Sequence, residues 1–277
     1  MQTQQSTFQS HDGLEIHTYS YCATEEPRAV VLITHGYGEH MGRYEHVILA
    51  LVEQGYAVYG LDHRGHGYSD GARALFRTLD DPLQDMRRVF DQARADYPDH
   101  DIFMLGHSMG SLLTLAFALK YEREIAGIIV TGVATHGGQR VSPIIRRIGE
   151  TLMNVVPQLP IQPPGPPTDL NSDPVMLQKW EDDPLNYKGW WKVGMGGLLI
   201  RKGEEVAGQV HRLTLPMLIM HGSEDVVTPI DGSYHLHQVA ASDDKTLKVW
   251  NGMKHEVLNE VERDQVFAVL LSWLDAH

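Results

Sequence analysis

Cysteine is nearly missing from this chain: Cys22 is the one thiol in 277 residues. That excludes an intramolecular disulfide and any zinc cluster built on cysteines, and Cys22 itself reads as a small buried apolar residue. Positive charge is also short. Lys and Arg number 23 against 36 Asp and Glu, a net charge of −13 with neutral histidines. A phosphate backbone needs a basic surface to displace its counterions, and an anionic leaflet would repel this average surface. Nucleic acid is therefore not an expected partner. No apolar run reaches the roughly 18 residues that would suggest a membrane span; the longest, VFAVLLSWL at 266–274, reads as a core helix. The opening MQTQQSTFQS has no Lys, no Arg and no apolar stretch, so it does not read as a signal peptide. The sequence contains no Asn-x-Ser/Thr acceptor either. The expected location is cytoplasmic, peripheral to membranes at most, with no transmembrane segment.

What is present is the composition of a folded enzyme, with 42% hydrophobic and 21% charged residues. Short β-rich runs at 28–34, 56–61, 102–105, 127–131, 217–220 and 246–250 have the continuous apolar character of strands buried on both faces. Leu14 to Tyr21 half-alternates and reads as an antiparallel edge strand. Between them, 44–54, 83–97, 109–121, 234–241 and 260–276 carry apolar residues near the 3.6 period. Alternation of this kind predicts an α/β fold with a mostly parallel sheet covered by helices. No repeat at solenoid periods is visible.

One stretch interrupts the alternation. Nine of the 14 prolines lie between Pro143 and Pro184, including Pro163-Pro164-Gly165-Pro166-Pro167, which suits neither a central strand nor a helix interior. Gly194-Met195-Gly196-Gly197 beyond it reads as flexible. Ile144, Ile145, Ile148, Leu152, Val155 and Val156 keep helical spacing; such a stripe covers a core or, less commonly, touches a lipid surface. The expected organisation is a core of residues 1–135 and 210–277 with a cap or lid at 136–209.

The strongest chemical signal is Gly106-His107-Ser108-Met109-Gly110, placed between a predicted strand and a predicted helix. A strand, a sharp turn and a helix around G-x-S-x-G form a nucleophile elbow, whereas elsewhere the same five residues would be only a small-residue turn. A serine hydroxyl needs a base, and the base an orienting carboxylate. Asp225, in His221-Gly222-Ser223-Glu224-Asp225, and His255, in Asn251-Gly252-Met253-Lys254-His255, each follow a predicted strand. The order Ser108, Asp225, His255 is that of nucleophile, acid and base in this kind of fold. Glu224 and Asp231 are rival acids ranked below Asp225.

The oxyanion requires two backbone N–H groups, from the residue after the nucleophile and from the loop after the third strand. Those are Met109 and Tyr37, the latter within His35-Gly36-Tyr37-Gly38-Glu39-His40. Glu256 beside His255 has no second histidine four residues on, so the metalloprotease pattern fails, and neither Gly36-x-Gly38 nor Gly65-x-Gly67 completes a dinucleotide fingerprint. No metal and no cofactor are implied.

These residues resemble the monoacylglycerol lipase branch of the α/β-hydrolase superfamily, beside its lysophospholipases. The resemblance rests on His35 to His40 with Arg43-Tyr44, on Asp62-His63-Arg64-Gly65-His66-Gly67 with Ser69, Gly71 and Arg73, on the elbow, and on His255-Glu256 with Asn259-Glu260. It implies an α/β-hydrolase fold, a central eight-stranded and mostly parallel sheet flanked by helices, with a cap after the sixth strand. It also implies a serine esterase that splits monoacylglycerol into fatty acid and glycerol through an acyl-enzyme, with Glu39, Arg43, His107 and Trp180 near the head-group pocket. Glu39 and Arg43 are equally readable as a structural ion pair, and His107 as packing beside the elbow. Ser111 replaces the glycine usual after the elbow, and the cap matches only in fragments such as Asn171-Ser172-Asp173-Pro174. The alternatives are a lysophospholipase, a thioesterase or a general carboxylesterase, and more remotely a non-catalytic small-molecule receptor on the same fold. Epoxide hydrolases and dehalogenases use an aspartate where Ser108 stands.

Overall fold

A computed structural model describes residues 2–136 and 142–277, without the side chains of 143–146 and 148. The stripe expected of Ile144, Ile145 and Ile148 therefore lies outside the described residues. The strands are β1 (Gln2–Gln9), β2 (Glu15–Cys22), β3 (Val30–Thr34), β4 (Ala57–Leu61), β5 (Ile102–His107), β6 (Gly127–Thr131), β7 (Pro160–Gln162), β8 (Trp191–Lys192), β9 (Met217–Gly222) and β10 (Lys245–Trp250). The α-helices are α1 (Glu45–Glu53), α2 (Asp80–Asp96), α3 (Met109–Tyr121), α4 (Pro143–Val155), α5 (Pro174–Asp182), α6 (Val193–Ala207), α7 (Asp231–Val239) and α8 (Arg263–Ala276).

Eight strands form one sheet in the order β1-β2-β4-β3-β5-β6-β9-β10, with only the β1–β2 and β2–β4 pairings antiparallel. Strand β3 shows why continuous apolar runs were needed. Val30 and Leu32 face a core shared with α2 and α3, while Val31 and Ile33 face a second core shared with α1 and α8, as the period of two dictates for a sheet covered on both sides. The chain runs from β3 outward to β4, then returns to the other side of β3 as β5. That reversal opens a crevice at the C-terminal ends of β3 and β5, where the loop of Tyr37 and the elbow of Ser108 emerge.

Three expectations need correction. Residues 2–9 form an eighth strand that the apolar pattern does not reveal. Strand β1 is polar and almost wholly exposed; its backbone pairing with β2 holds it, and Phe8 alone packs against the core. Gly194 to Gly197 are the first turn of α6, not a flexible hinge. A Cβ on Gly194 would press on Pro157 and one on Gly197 on Met153, so these glycines let α4 and the chain that follows it approach α6. Finally, Cys22 is only half-buried at the end of β2, its thiol 2.7 Å from the Thr24 carbonyl.

Candidate active site

Ser108 stands at the junction of β5 and α3 with φ 53° and ψ −118°, a conformation that costs a non-glycine residue strain and persists only where the surroundings impose it. The surroundings are steric. A Cβ on Gly110 would land in the Thr34 carbonyl, and one on Gly106 would sit 2.5 Å from the Gly110 oxygen. Only glycine lets α3 start so close to β3 and β5. The chain then reverses beneath Ser108, whose amide donates to Thr131 O at 2.9 Å. Ser111 adds a tie: its hydroxyl donates to Ser108 O at 2.6 Å and accepts from the Ala134 amide at 3.1 Å.

Asp225 and His255 meet because two neighbouring strands end together. Strands β9 and β10 pair in parallel to Gly222 and Trp250, and the absence of a side chain on Gly222 lets the Met253 and Lys254 carbonyls pass against it. His255 Nδ1 lies 2.8 Å from Asp225 Oδ2. The other carboxylate oxygen accepts from the amides of Val227 and Thr228 at 2.8 and 2.9 Å, while the Thr228 hydroxyl donates to Oδ2 at 2.8 Å. His221 Nε2 lies 3.0 Å from Oδ2. The Asp225 side chain is fully enclosed and that of His255 nearly so. Burial alone would raise the Asp225 carboxyl, but His255, His221 and the Thr228 amide hold it far below the ordinary carboxylate range. For His255, burial works against the charged ring, yet Asp225, Glu256 and Glu39 prevail and raise its pKa. The rivals Glu224 and Asp231 are exposed.

Ser108 and His255 are joined around the end of β6. A Cβ on Gly132 would sit 3.0 Å from His255 Cε1, and Gly132 follows the Thr131 that binds the Ser108 amide. His107 completes the contact: its ring lies 4.7 Å from that of His255, and its Nδ1 is 2.8 Å from Thr131 Oγ1. Burial foremost, then the neighbouring His255, pushes the His107 pKa down to about 4. Ser108, His255 and Asp225 are thus gathered at the C-terminal ends of the sheet's strands.

Tyr37 leads the opposite wall and Met109 opens α3, whose first amides have no carbonyl within the helix to bind. Glu39 and Arg43 lie behind this wall as an ion pair. Glu39 accepts from the Gly36 amide at 2.5 Å and from Tyr44 at 2.6 Å, and Arg43 contacts Glu39 at 2.5 Å. Arg43 also grips both oxygens of Glu256 at 2.7 and 2.9 Å, and Asn171 and Asn259 each donate to Glu256 at 2.8 Å. Trp180 makes its contacts within the segment between β6 and β9, with Lys188 5.6 Å above its ring and Asn186 on its carbonyl.

Thr228 and Thr131 are the neighbours of the site that sequence reasoning missed, and the sequence named Glu256 without revealing its pairing with Arg43. Thr228 had a signal, an Asp followed three residues on by Thr, which is how an Asx-type turn caps its own backbone. Thr131 had none, since it supports His107 from another strand.

A central sheet with these ends defines an α/β-hydrolase. The model of the family described as serine aminopeptidase, S33, matches residues 25–262, and the chain belongs to that family. It is 35% identical over 252 residues to a monoacylglycerol lipase of Mycolicibacterium smegmatis, covering 91% of this chain and 90% of that protein. It is 29% identical over 266 residues to a human monoglyceride lipase, covering 95% and 88%. The crystal structure of a Paleococcus ferrophilus monoacylglycerol lipase shares the fold with a TM-score of 0.84 at 24% identity, over 95% of this chain and 99% of that one.

Proposed function

We propose that this chain is a serine hydrolase that cleaves the carboxylic ester of a monoacylglycerol into fatty acid and glycerol. Ser108 Oγ attacks the ester carbonyl as His255 takes its proton, and Asp225 holds the imidazole with its Nδ1 proton inward. The amides of Tyr37 and Met109 receive the oxyanion. The tetrahedral intermediate collapses as His255 returns the proton to the departing glycerol oxygen, leaving an acyl-Ser108 ester. Water, deprotonated by His255, then attacks that ester, releases the fatty acid and restores the hydroxyl. The observation that carries this reading is the Asp225–His255 pair, locked by Thr228, beside the strained backbone of Ser108. The choice of a monoacylglycerol is supported by the named activities of the relatives.

Residues 136–209 act in this reading as a cap that bounds the acyl and glycerol sites. Within it Val155, Val156, Leu159, Ile161 and Trp190 are exposed, an apolar group suited to transient contact with a lipid surface; no helix among the described residues is long and apolar enough to cross a membrane. His107 and Trp180 contribute to the head-group side, while Glu39 and Arg43 serve it from behind by holding the Tyr37 loop.

The family's description raises a second reading, cleavage of a peptide behind a free amine. Such a substrate wants an unpaired carboxylate, whereas Asp225 is bound to His255 and Glu39 and Glu256 are both taken by Arg43. The same pairing occupies the guanidinium that a lysophospholipid phosphate would seek. The deciding experiment measures kcat/KM of wild type and Ser108→Ala on a long-chain monoacylglycerol and on the methyl ester of the same acid. A loss of at least about a thousandfold in the variant, with strong preference for the glyceride, is expected. Equal turnover of both esters would reduce the reading to a general carboxylesterase, and near-normal activity of Ser108→Ala would overturn the mechanism.

A further inference from the structure

The loop that carries the Tyr37 amide is clamped from two sides. On the core side Glu39 binds the Gly36 amide. On the other, the segment Leu185 to Lys192 reaches back over the loop. The Tyr187 amide donates to Gly38 O at 2.8 Å, and the Trp191 ring stacks on the Tyr37 ring with centroids 4.0 Å apart and planes 18° apart. Tyr187 and His66 meet the same ring edge-on at 6.0 and 5.8 Å. The Tyr37 hydroxyl is buried without a hydrogen-bond partner. No hydrogen bond therefore fixes this side chain, and its place is set by the faces packed against it, of which Trp191 covers the flat one.

Trp191 belongs to β8, which pairs with β7 and continues directly into α6. Around it Lys192 binds the Arg73 carbonyl and Arg73 binds the Leu185 carbonyl, so the stretch grips the core largely through main-chain oxygens. A hollow of about 360 Å³ opens on its outer side, lined by Gln158, Pro160, Tyr187, Trp190 and Lys192. It lies over the insertion and not over Ser108, yet it shares Tyr187 with the Tyr37 contact. The Tyr37 peptide thus has a stiff anchor at Gly36 and a separate aromatic anchor supplied by the insertion.

We infer that Trp191 is a positioning residue for the oxyanion site: its stack on Tyr37 aims the Tyr37 amide, so the site is complete only while the β7–β8 ribbon is seated on the loop. This rests on the reading of Tyr37 as an oxyanion donor. It predicts a loss in kcat even for a substrate too short to touch the insertion, since what fails is the transition state and not binding.

The test compares wild type, Trp191→Leu and Trp191→Phe on 4-nitrophenyl acetate and on a long-chain monoacylglycerol. Removing an oxyanion donor outright costs about a hundred- to a thousandfold, and a misaimed donor less. Trp191→Leu is expected to lower kcat about 10- to 100-fold on both substrates with KM changed less than about twofold. Trp191→Phe, which keeps an aromatic face, should recover most of the rate. A loss confined to the long-chain substrate, a loss in KM alone, or no recovery with Phe would overturn the inference and make Trp191 a wall or a mere structural element. Should Trp191→Leu fail to fold, Trp191→Phe and Trp191→His decide: a kcat that falls from Trp to Phe to His at constant KM supports it, and equal kcat in all three overturns it. Activity on 4-nitrophenyl acetate that survives Ser108→Ala removes the functional reading itself; Ser108-dependent activity with unchanged kcat in Trp191→Leu removes only this inference.

Discussion

The loops at the end of the sheet and the insertion above them are held by different physics. At the sheet, Gly110 and Gly222 leave no room for a side chain, Ser108 is strained, and Asp225, Thr228 and His255 are buried with defined partners. The insertion buries Met195, Leu198 and Val206 of α6 in the main core and adds ties such as Asp183 with His40 at 2.7 Å and Asp173 with Arg263 at 2.6 Å, but it leaves Val155, Ile161 and Trp190 in solvent. Chemistry tolerates little displacement, so its residues are over-determined. In the proposed reading, the insertion's exposed face meets lipid and is free to be less closely packed, because it has to accept a range of positions.

Asp225 offers the hardest blow to that contrast. Asp225→Asn keeps the shape of the loop but loses the charge that holds the His255 tautomer, and kcat should fall by about ten-thousandfold, whereas Glu224→Gln, on an exposed neighbour, should leave it unchanged. The pH profile sharpens the point. Asp225 raises the His255 pKa, and the base works only when neutral, so wild-type activity should climb as pH rises through a value above 6.5. In Asp225→Asn the residual activity should begin its climb at lower pH. A loss under tenfold, or an unmoved acid limb, would count against Asp225 as the orienting acid.

Stability should follow a different pH window from activity. Burial foremost drives the pKa values of His35 and His63 down, that of His66 to about 3 and that of His107 to about 4. The unfolded chain protonates these rings near pH 6.5 while the folded one does not. The contribution of these four rings is therefore whole above that value and falls as pH drops toward 4, each adding up to about 1.4 kcal/mol per pH unit. Asp225 and Glu256 have lowered pKa values and so contribute stability that is present above the ordinary carboxylate range and fades below it. The melting temperature should decline from about pH 6.5 downward, whereas activity is already falling above that value. A melting temperature flat between pH 6.5 and 4 would show that these rings are not buried neutral.

The same contrast governs what was legible in the sequence. Gly106 to Gly110, His35 to His40 and the ends of β9 and β10 are local signals, since each motif and the strand that aims it are contiguous. Residues that act across the sheet were not readable in this way. Arg43 and Glu39 were visible as a pair, but Glu256 lies 213 residues from Arg43 and was readable only as part of the His255-Glu256 motif and as a failed metal pattern; its partners are Arg43, in the turn before α1, and Asn171 in the insertion. Strand β1 was missed because backbone pairing, not apolar alternation, makes it a strand. In the insertion, glycines that usually signal flexibility instead permit the close approach of Pro157 and Met153 to α6.

The smallest effect concerns the exposed face of the insertion. Leu159 and Ile161 are both about half exposed, at 41% and 48%; Leu159 precedes β7 and Ile161 lies within it, in the ribbon whose Trp191 stacks on Tyr37. Replacing either with Ser removes apolar area from a lipid contact without opening a cavity in the core, so folding should be nearly unaffected. Turnover of a monoacylglycerol presented in micelles should fall about two- to fivefold in the double variant, since each buried CH₂ at such a surface is worth somewhat under 1 kcal/mol and only part of the gain reaches the rate. Hydrolysis of dissolved 4-nitrophenyl acetate should not change. Equal losses on both substrates would mean that these side chains steady the Trp191 ribbon, joining the insertion to the rigid half of the molecule, whereas unchanged micellar turnover would leave this face without a part in gathering substrate.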